Sequence, residues 1–171
     1  MMHREHSFEQ AALPFLGSLY QAAFCMVHDQ AIATRCVEQA YLEAGRAIHL
    51  LNGVTGCRVL LFAKLFRFLH KRQGALAGIK GWLTGGEGAE APAEADLDEM
   101  LRALHRLPET LREILLLADV EEFSKSEIQE VLGVSSKVLT RRLAEGRERF
   151  RSAWKIGEPM DGPSLEDPAV A

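Results

Sequence analysis

Apolar residues in this chain recur at spacings of three and four, the repeat of a helix face. In "LDEMLRALHRLP" they fall at Leu97, Met100, Leu101, Leu104 and Leu107. Pro108 then opens a new helix, where its missing N–H costs nothing. Leu111, Ile114, Leu115 and Ala118 carry the next buried stripe. Ser124 and Glu127 have the spacing of a capping box, ahead of a short helix with Ile128, Val131 and Leu132 on its apolar side. Gly133 can take the left-handed conformation that ends it, Val134 plugs the turn, and Ser135 can cap the last helix. That helix buries Val138, Leu139 and Leu143, with Phe150 on the same side two turns on. Alternating strand patterns are nearly absent.

The same periodicity runs from about Phe8 to Arg72. Between the two helical stretches lies "QGALAGIKGWLTGGEGAEAPAEAD", rich in Gly and Ala, which reads as a flexible linker. The final "KIGEPMDGPSLEDPAVA" is rich in Pro and acid and reads as a disordered tail. The pattern predicts an all-α chain of two small helical domains, the second containing a helix-turn-helix. The boundaries are 8–72 for the first domain, 73–96 for the linker, 97–154 for the second domain and 155–171 for the tail.

Composition narrows the function classes. The 171 residues are 47% hydrophobic and 26% charged, with a net charge of −4, so any nucleic-acid surface must be local. The charge is indeed uneven. Acid collects in the linker and tail, while the last helix carries Lys137, Arg141, Arg142, Arg147, Arg149 and Arg151 against Glu145 and Glu148. The first domain gathers Arg58, Lys64, Arg67, Lys71 and Arg72 towards its end.

No secretory leader or bilayer span is expected, since the most apolar run, "VLLFAKLF", is short and broken by Lys64. Cys25, Cys36 and Cys57 sit in apolar helical surroundings and read as reduced core thiols of a cytoplasmic protein. Cys25 and His28 are three apart, but no second cluster stands at ligand spacing, so no metal or cofactor is expected. "GWLTGGEG" lacks the Lys-Ser/Thr ending of a phosphate loop, and no acid–base pair or nucleophile elbow occurs. The chain reads as a binding protein and not an enzyme.

The helix-turn-helix has the division of faces that DNA reading needs. At 100° per residue, Lys137, Thr140, Arg141 and Ala144 lie opposite the buried side. Lys137 and Arg141 suit guanine edges or phosphates, and Ser136 and Thr140 suit phosphate oxygens near free amides. Phe62 and Phe66, four apart, share a buried face. His70 suits either a phosphate contact or plain solvent exposure.

Together the segments from about Phe8 to Trp154 resemble a bacterial extracytoplasmic-function (ECF) sigma factor of RNA polymerase. "ALHRLPETLREILLLADVEEFSKSEIQEVLGVSSKVLTRRLAEGRERFR" is similar to that family's region four, with the "LP…REILLL", "FS..EI...LG.S" and "RL..GRERFR" parts in order. The resemblance implies that this domain binds the −35 element and the β flap of polymerase. Ser136, Lys137, Thr140, Arg141, Arg142 and Arg147 become the DNA contacts. "DQAIATRCVEQAYLEAGRAI" and "NGVTGCRVLLFAKLFRFLHKR" resemble region two. On that likeness Asn52 to Cys57 form the loop that captures a flipped base. Asn52, Arg58, Lys64, Arg67, Lys71 and Arg72 meet the −10 element. Asp29, Thr34, Arg35, Glu38 and Gln39 meet the clamp helices of β′.

Three departures stand out. Thr34 and Arg35 replace the family's usual Glu-Asp, reversing a charge at the polymerase contact. Leu60 replaces its usual Trp. Val138 and Thr140 stand where Thr and a basic residue are common. The resemblance therefore implies core RNA polymerase and promoter DNA as partners, with an anti-sigma factor as a further one. Two alternatives remain: a sigma mimic that binds a regulator without promoter activity, and a dimeric helix-turn-helix repressor.

Overall fold

The computed structural model describes residues 8–47, 53–80 and 95–155. Among them there are helices and turns and no strand. Residues 8–12 are helical and pass through a 3-10 turn at Leu13–Phe15 into α1 (Leu16–Val27). Then come α2 (Gln30–Arg46) and α3 (Gly53–Lys80), which complete the first domain. The second domain holds α4 (Ala95–His105), α5 (Glu109–Leu115) and a π-helical turn at Leu116–Val120. Its helix-turn-helix is α6 (Lys125–Leu132) and α7 (Ser136–Lys155).

Local chemistry sets the boundaries. Asp29 caps α2 by accepting the Ile32 N–H at 2.8 Å. Pro108 precedes α5 in an extended conformation that needs no N–H. The helix α3 runs on to Lys80, through the first residues of the segment whose composition reads as linker. The remainder of that segment, 81–94, and also Asn52 and 156–171 lie outside the described residues, while Gly53 to Cys57, expected in a loop, form the start of α3.

The first core is built on Leu19, Cys36, Leu61, Phe62, Leu65 and Phe66, all fully buried. Phe62 and Phe66 do share one face. Cys36 and Cys57 are buried and Cys25 half-buried, all three as free thiols. Burial pushes all three thiols upward, so they stay protonated at neutral pH. The stretch Phe8–Val27, and not the run around Lys64, is long and apolar enough to cross a membrane by composition. Ala12, Leu19, Ala22, Ala23 and Met26 of that stretch pack into the protein core.

The second core contains Leu104, Leu107, Ile114, Leu116, Leu117, Ile128 and Leu139. The domains do not stand apart. α3 lies against α6, α1 touches α4 and α5, and one apolar cluster runs through both.

Candidate nucleic-acid interface and the seam between the domains

The helix-turn-helix is fixed by its own termini. Ser124 Oγ accepts the Glu127 N–H at 3.3 Å, and the Glu127 carboxylate accepts the Ser124 N–H at 2.8 Å. The Ser124 hydroxyl also donates to that carboxylate and holds it below the usual carboxylate range. Gly133 ends α6 at φ 65°, with open space where a Cβ would go, so backbone conformation alone favours glycine there. Ser135 Oγ accepts the Val138 N–H at 3.4 Å and starts α7.

On the inner side of α7, Leu139 and Leu143 are buried. Gly146 lets α7 approach closely: a Cβ there would stand 3.2 Å from Leu115 Cγ. This packing turns Ser136, Lys137, Thr140 and Arg141 to solvent, with Arg142 half-buried beside them. The tip of the helix is thus a free cationic surface with two hydroxyls, carried on a rigid base. Arg147 is exposed but engaged: its guanidinium forms two hydrogen bonds with the Asp119 carboxylate, at 3.1 and 2.6 Å. Asp119 sits in the π-helical turn, too far along the chain for any local spacing to signal the pair.

In the first domain the five cations grouped by sequence do not share a side. Lys64, Arg67 and Lys71, at spacings of three and four, form one stripe along α3. Arg67 and Lys71 are exposed, while Lys64 lies 3.8 Å from Glu43. Arg72 is half-buried and hydrogen-bonds the Cys36 thiol. Arg58 points the opposite way, into the second domain. Asn52 lies outside the described residues.

On α2, Thr34, Arg35, Glu38 and Gln39 are all exposed. Leu42, 54% exposed, continues that face one turn on. The Thr34 hydroxyl donates back to the Gln30 carbonyl at 2.8 Å, so the residue in the place of an acid turns its polar atom to its own helix. Asp29 serves as the α2 cap.

Among the described residues, four groups of polar and aromatic contacts join the two halves. First, the Arg58 guanidinium stacks 3.9 Å from the Phe123 ring centroid, donates to the Glu121 backbone carbonyl, and lies 3.6 Å from the Glu121 carboxylate. Phe123 also meets Phe62 edge-on at 4.9 Å. Second, His70 Nε2 stands 2.5 Å from the carboxylate of Glu113, a side chain only 3% exposed. That hydrogen bond raises the His70 pKa against the opposing effect of burial. Third, Arg112 is buried and donates to the Met26 carbonyl at the end of α1. It also donates to the carbonyls of Leu104, His105 and Leu107 in its own domain. Fourth, the His28 and His105 rings meet edge-on at 4.0 Å. Burial, then the charge of Arg112, brings the His105 pKa down to about 4.

Two non-glycine residues adopt positive φ, His28 at 55° and Glu122 at 53°, and both lie at this seam. Glu122 separates Glu121 from Phe123 and so sets both against Arg58. Such backbone costs of order 1 kcal/mol and persists where surrounding contacts hold it.

Sequence spacing does not reveal these partners. His70 stays exposed, as one reading of the sequence has it, but it also meets a buried carboxylate from the other half of the chain. A partial signal exists in Arg112 and Glu113, two adjacent charges inside an otherwise apolar run.

Residues 97–150 match the model of the sigma-70 region 4 family. Among solved structures, the chain is similar to the sigma factor RpoE from Bartonella quintana, solved with the anti-sigma factor NepR. The TM-score is 0.74 at 20% identity, over 89% of this chain and 99% of that one. The likeness to sigma-70 region 4 covers the stretch from α4 through most of α7. The chain as a whole carries the all-helical fold of an ECF-type sigma factor. The matched residues include α6 and most of α7.

Proposed function

We propose that this protein is an alternative sigma factor that binds core RNA polymerase and directs initiation at its own promoters. The observation that carries the reading is a region 4 helix-turn-helix with capped helices, whose reading tip, Ser136 to Arg141, is left free. Lys137 and Arg141 enter the major groove of a −35 element, and Ser136, Thr140 and Arg142 hold its phosphates. The Lys64, Arg67 and Lys71 stripe meets the −10 region, and the exposed face of α2 from Thr34 to Leu42 meets the polymerase clamp. Polymerase does the chemistry, and the sigma factor supplies position and strand opening in the cytoplasm. An anti-sigma partner fits the likeness to a sigma factor solved in such a complex.

One observation favours a second reading, a sigma mimic. Arg35 stands exposed where the family carries acid, and a cation there opposes a clamp surface shaped for acid. Affinity capture separates the two. Retention of core polymerase subunits on the immobilised chain supports the sigma factor. Retention of an anti-sigma protein without core supports the mimic and overturns the first reading.

A further inference from the structure

We infer that Asp119 is a positioning residue for the reading helix: through its paired bonds to Arg147 it fixes the rotation of α7, and it withdraws Arg147 from DNA. The consequence for promoter reading rests on the sigma-factor proposal, but the clamp itself does not.

Asp119 is offered from a rigid segment. In the π-helical turn Leu116 and Leu117 are fully buried. The Glu121 N–H donates to the Leu116 carbonyl and the Phe123 N–H to the Leu117 carbonyl, both at 2.9 Å. The Asp119 carboxylate accepts two bonds from the guanidinium, from Nε at 3.1 Å and from Nη2 at 2.6 Å. A planar fork held at two points fixes orientation as well as distance. One residue earlier on α7, Gly146 lies so close to Leu115 that a Cβ would stand 3.2 Å from its Cγ. That apolar contact sets how near α7 comes to α5. It leaves α7 free to turn about its own axis, and the Arg147 fork removes that freedom.

Rotation matters at the reading tip. Thr140 stands about two turns before Arg147 on the same flank of the helix, about 10 Å away along the axis. A turn of about 20° carries a side-chain tip, about 6 Å from the axis, through roughly 2 Å. That breaks a hydrogen bond of about 2.9 Å to a base edge. The acid also cancels the charge of Arg147. With Nε and Nη2 both engaged, this arginine adds nothing to phosphate binding and releases no counterion. Both side chains are about half exposed, so the pair contributes little to overall stability and its effect is on geometry.

The test uses holoenzyme assembled from core polymerase and the full chain, as wild type, Arg147→Ala, Arg147→Lys or Asp119→Ala. Affinity is measured across salt for a duplex selected by the wild-type holoenzyme, and for the same duplex with one −35 base pair changed. All three variants are expected to lower discrimination between the two duplexes, by about fivefold for the alanines. Arg147→Lys should lose discrimination too, because an ammonium keeps the charge and cannot form the fork. The slope of log affinity against log salt should stay unchanged in Arg147→Ala. A loss of stability alone would not move discrimination in a folded chain, and circular dichroism checks that helix content is kept. Equal weakening on both duplexes by Arg147→Ala, with a salt slope flatter by about one unit and Arg147→Lys like wild type, would make Arg147 a phosphate contact and overturn the positioning role. Unchanged discrimination in Arg147→Ala and Asp119→Ala would overturn it as well.

A second arm needs neither polymerase nor DNA. Hydrogen–deuterium exchange of the full chain reads the clamp directly. Asp119→Ala is expected to speed exchange about fivefold in the π-helical turn and in α7 around Gly146, and to leave α6 unchanged. Unchanged exchange in both places would overturn the clamp. A wild-type chain that binds no core polymerase would instead sink the sigma-factor proposal, while the exchange arm still decides whether Asp119 holds α7.

Discussion

Lys137 and Arg141 stand one turn apart on the outer face of α7, and both are open to solvent. Replacing both with alanine is expected to lower affinity for the promoter duplex about tenfold to a hundredfold. It should also flatten the dependence of log affinity on log salt by up to about two units. A fluorescence-anisotropy titration at several salt concentrations measures both, and an unchanged affinity at low salt would remove α7 as the reading helix. Ser124→Ala tests the base on which that helix stands. It removes the capping oxygen and a proton donor to Glu127, and should cost about 1 kcal/mol in urea unfolding. The outward facing of Lys137 and Arg141 and the Ser124 cap were legible in the sequence, because capping and helical facing depend on residues three or four apart. Arg147 was not, since its partner Asp119 is brought to it only by the π-helical turn.

At the scale of elements, α3 shows what periodicity captures and what it leaves open. Spacing puts Phe62 and Phe66 in the core, and there they are. It also groups Arg58 with Lys64, Arg67 and Lys71, although Arg58 faces the other way into the second domain. A cation on a helix identifies a polar position, but whether water or another domain lies beyond it is a tertiary fact. Packing of α3 on α5, and of the end of α1 on α4, makes the closed arrangement of the two halves depend on pH in two directions. His70 has a raised pKa in the closed form, so its contribution is fully present below about 6.5 and is lost as pH rises through its folded value. His105, lowered to about 4, must be neutral when closed, so stability falls as pH drops from about 6.5 towards 4. Scattering across this range should show the most compact chain near pH 6.5, about the ordinary histidine value, with expansion on either side. His70→Gln should remove the alkaline limb and leave the acid limb in place. An alkaline limb that survives this change would assign it to another group.

For the whole molecule, helices on both sides of the segment rich in Gly, Ala and acid were legible from the apolar stripes. Their mutual packing was not. No local pattern announces that Arg112 will reach the Met26 carbonyl, or that Phe123 will rest on Phe62. The consequence is a protein in which the tip of α7 is open to solvent while the two halves are packed together.

Promoter-specific initiation by polymerase carrying this chain is the property on which the proposed function stands. Run-off transcription with purified core enzyme, on a duplex enriched by the reconstituted holoenzyme, tests it directly. Transcripts are expected from a single start; they should require this chain and fall sharply with Lys137→Ala and Arg141→Ala together. Transcription no greater than that of core enzyme alone, from a chain that demonstrably binds core, would refute it.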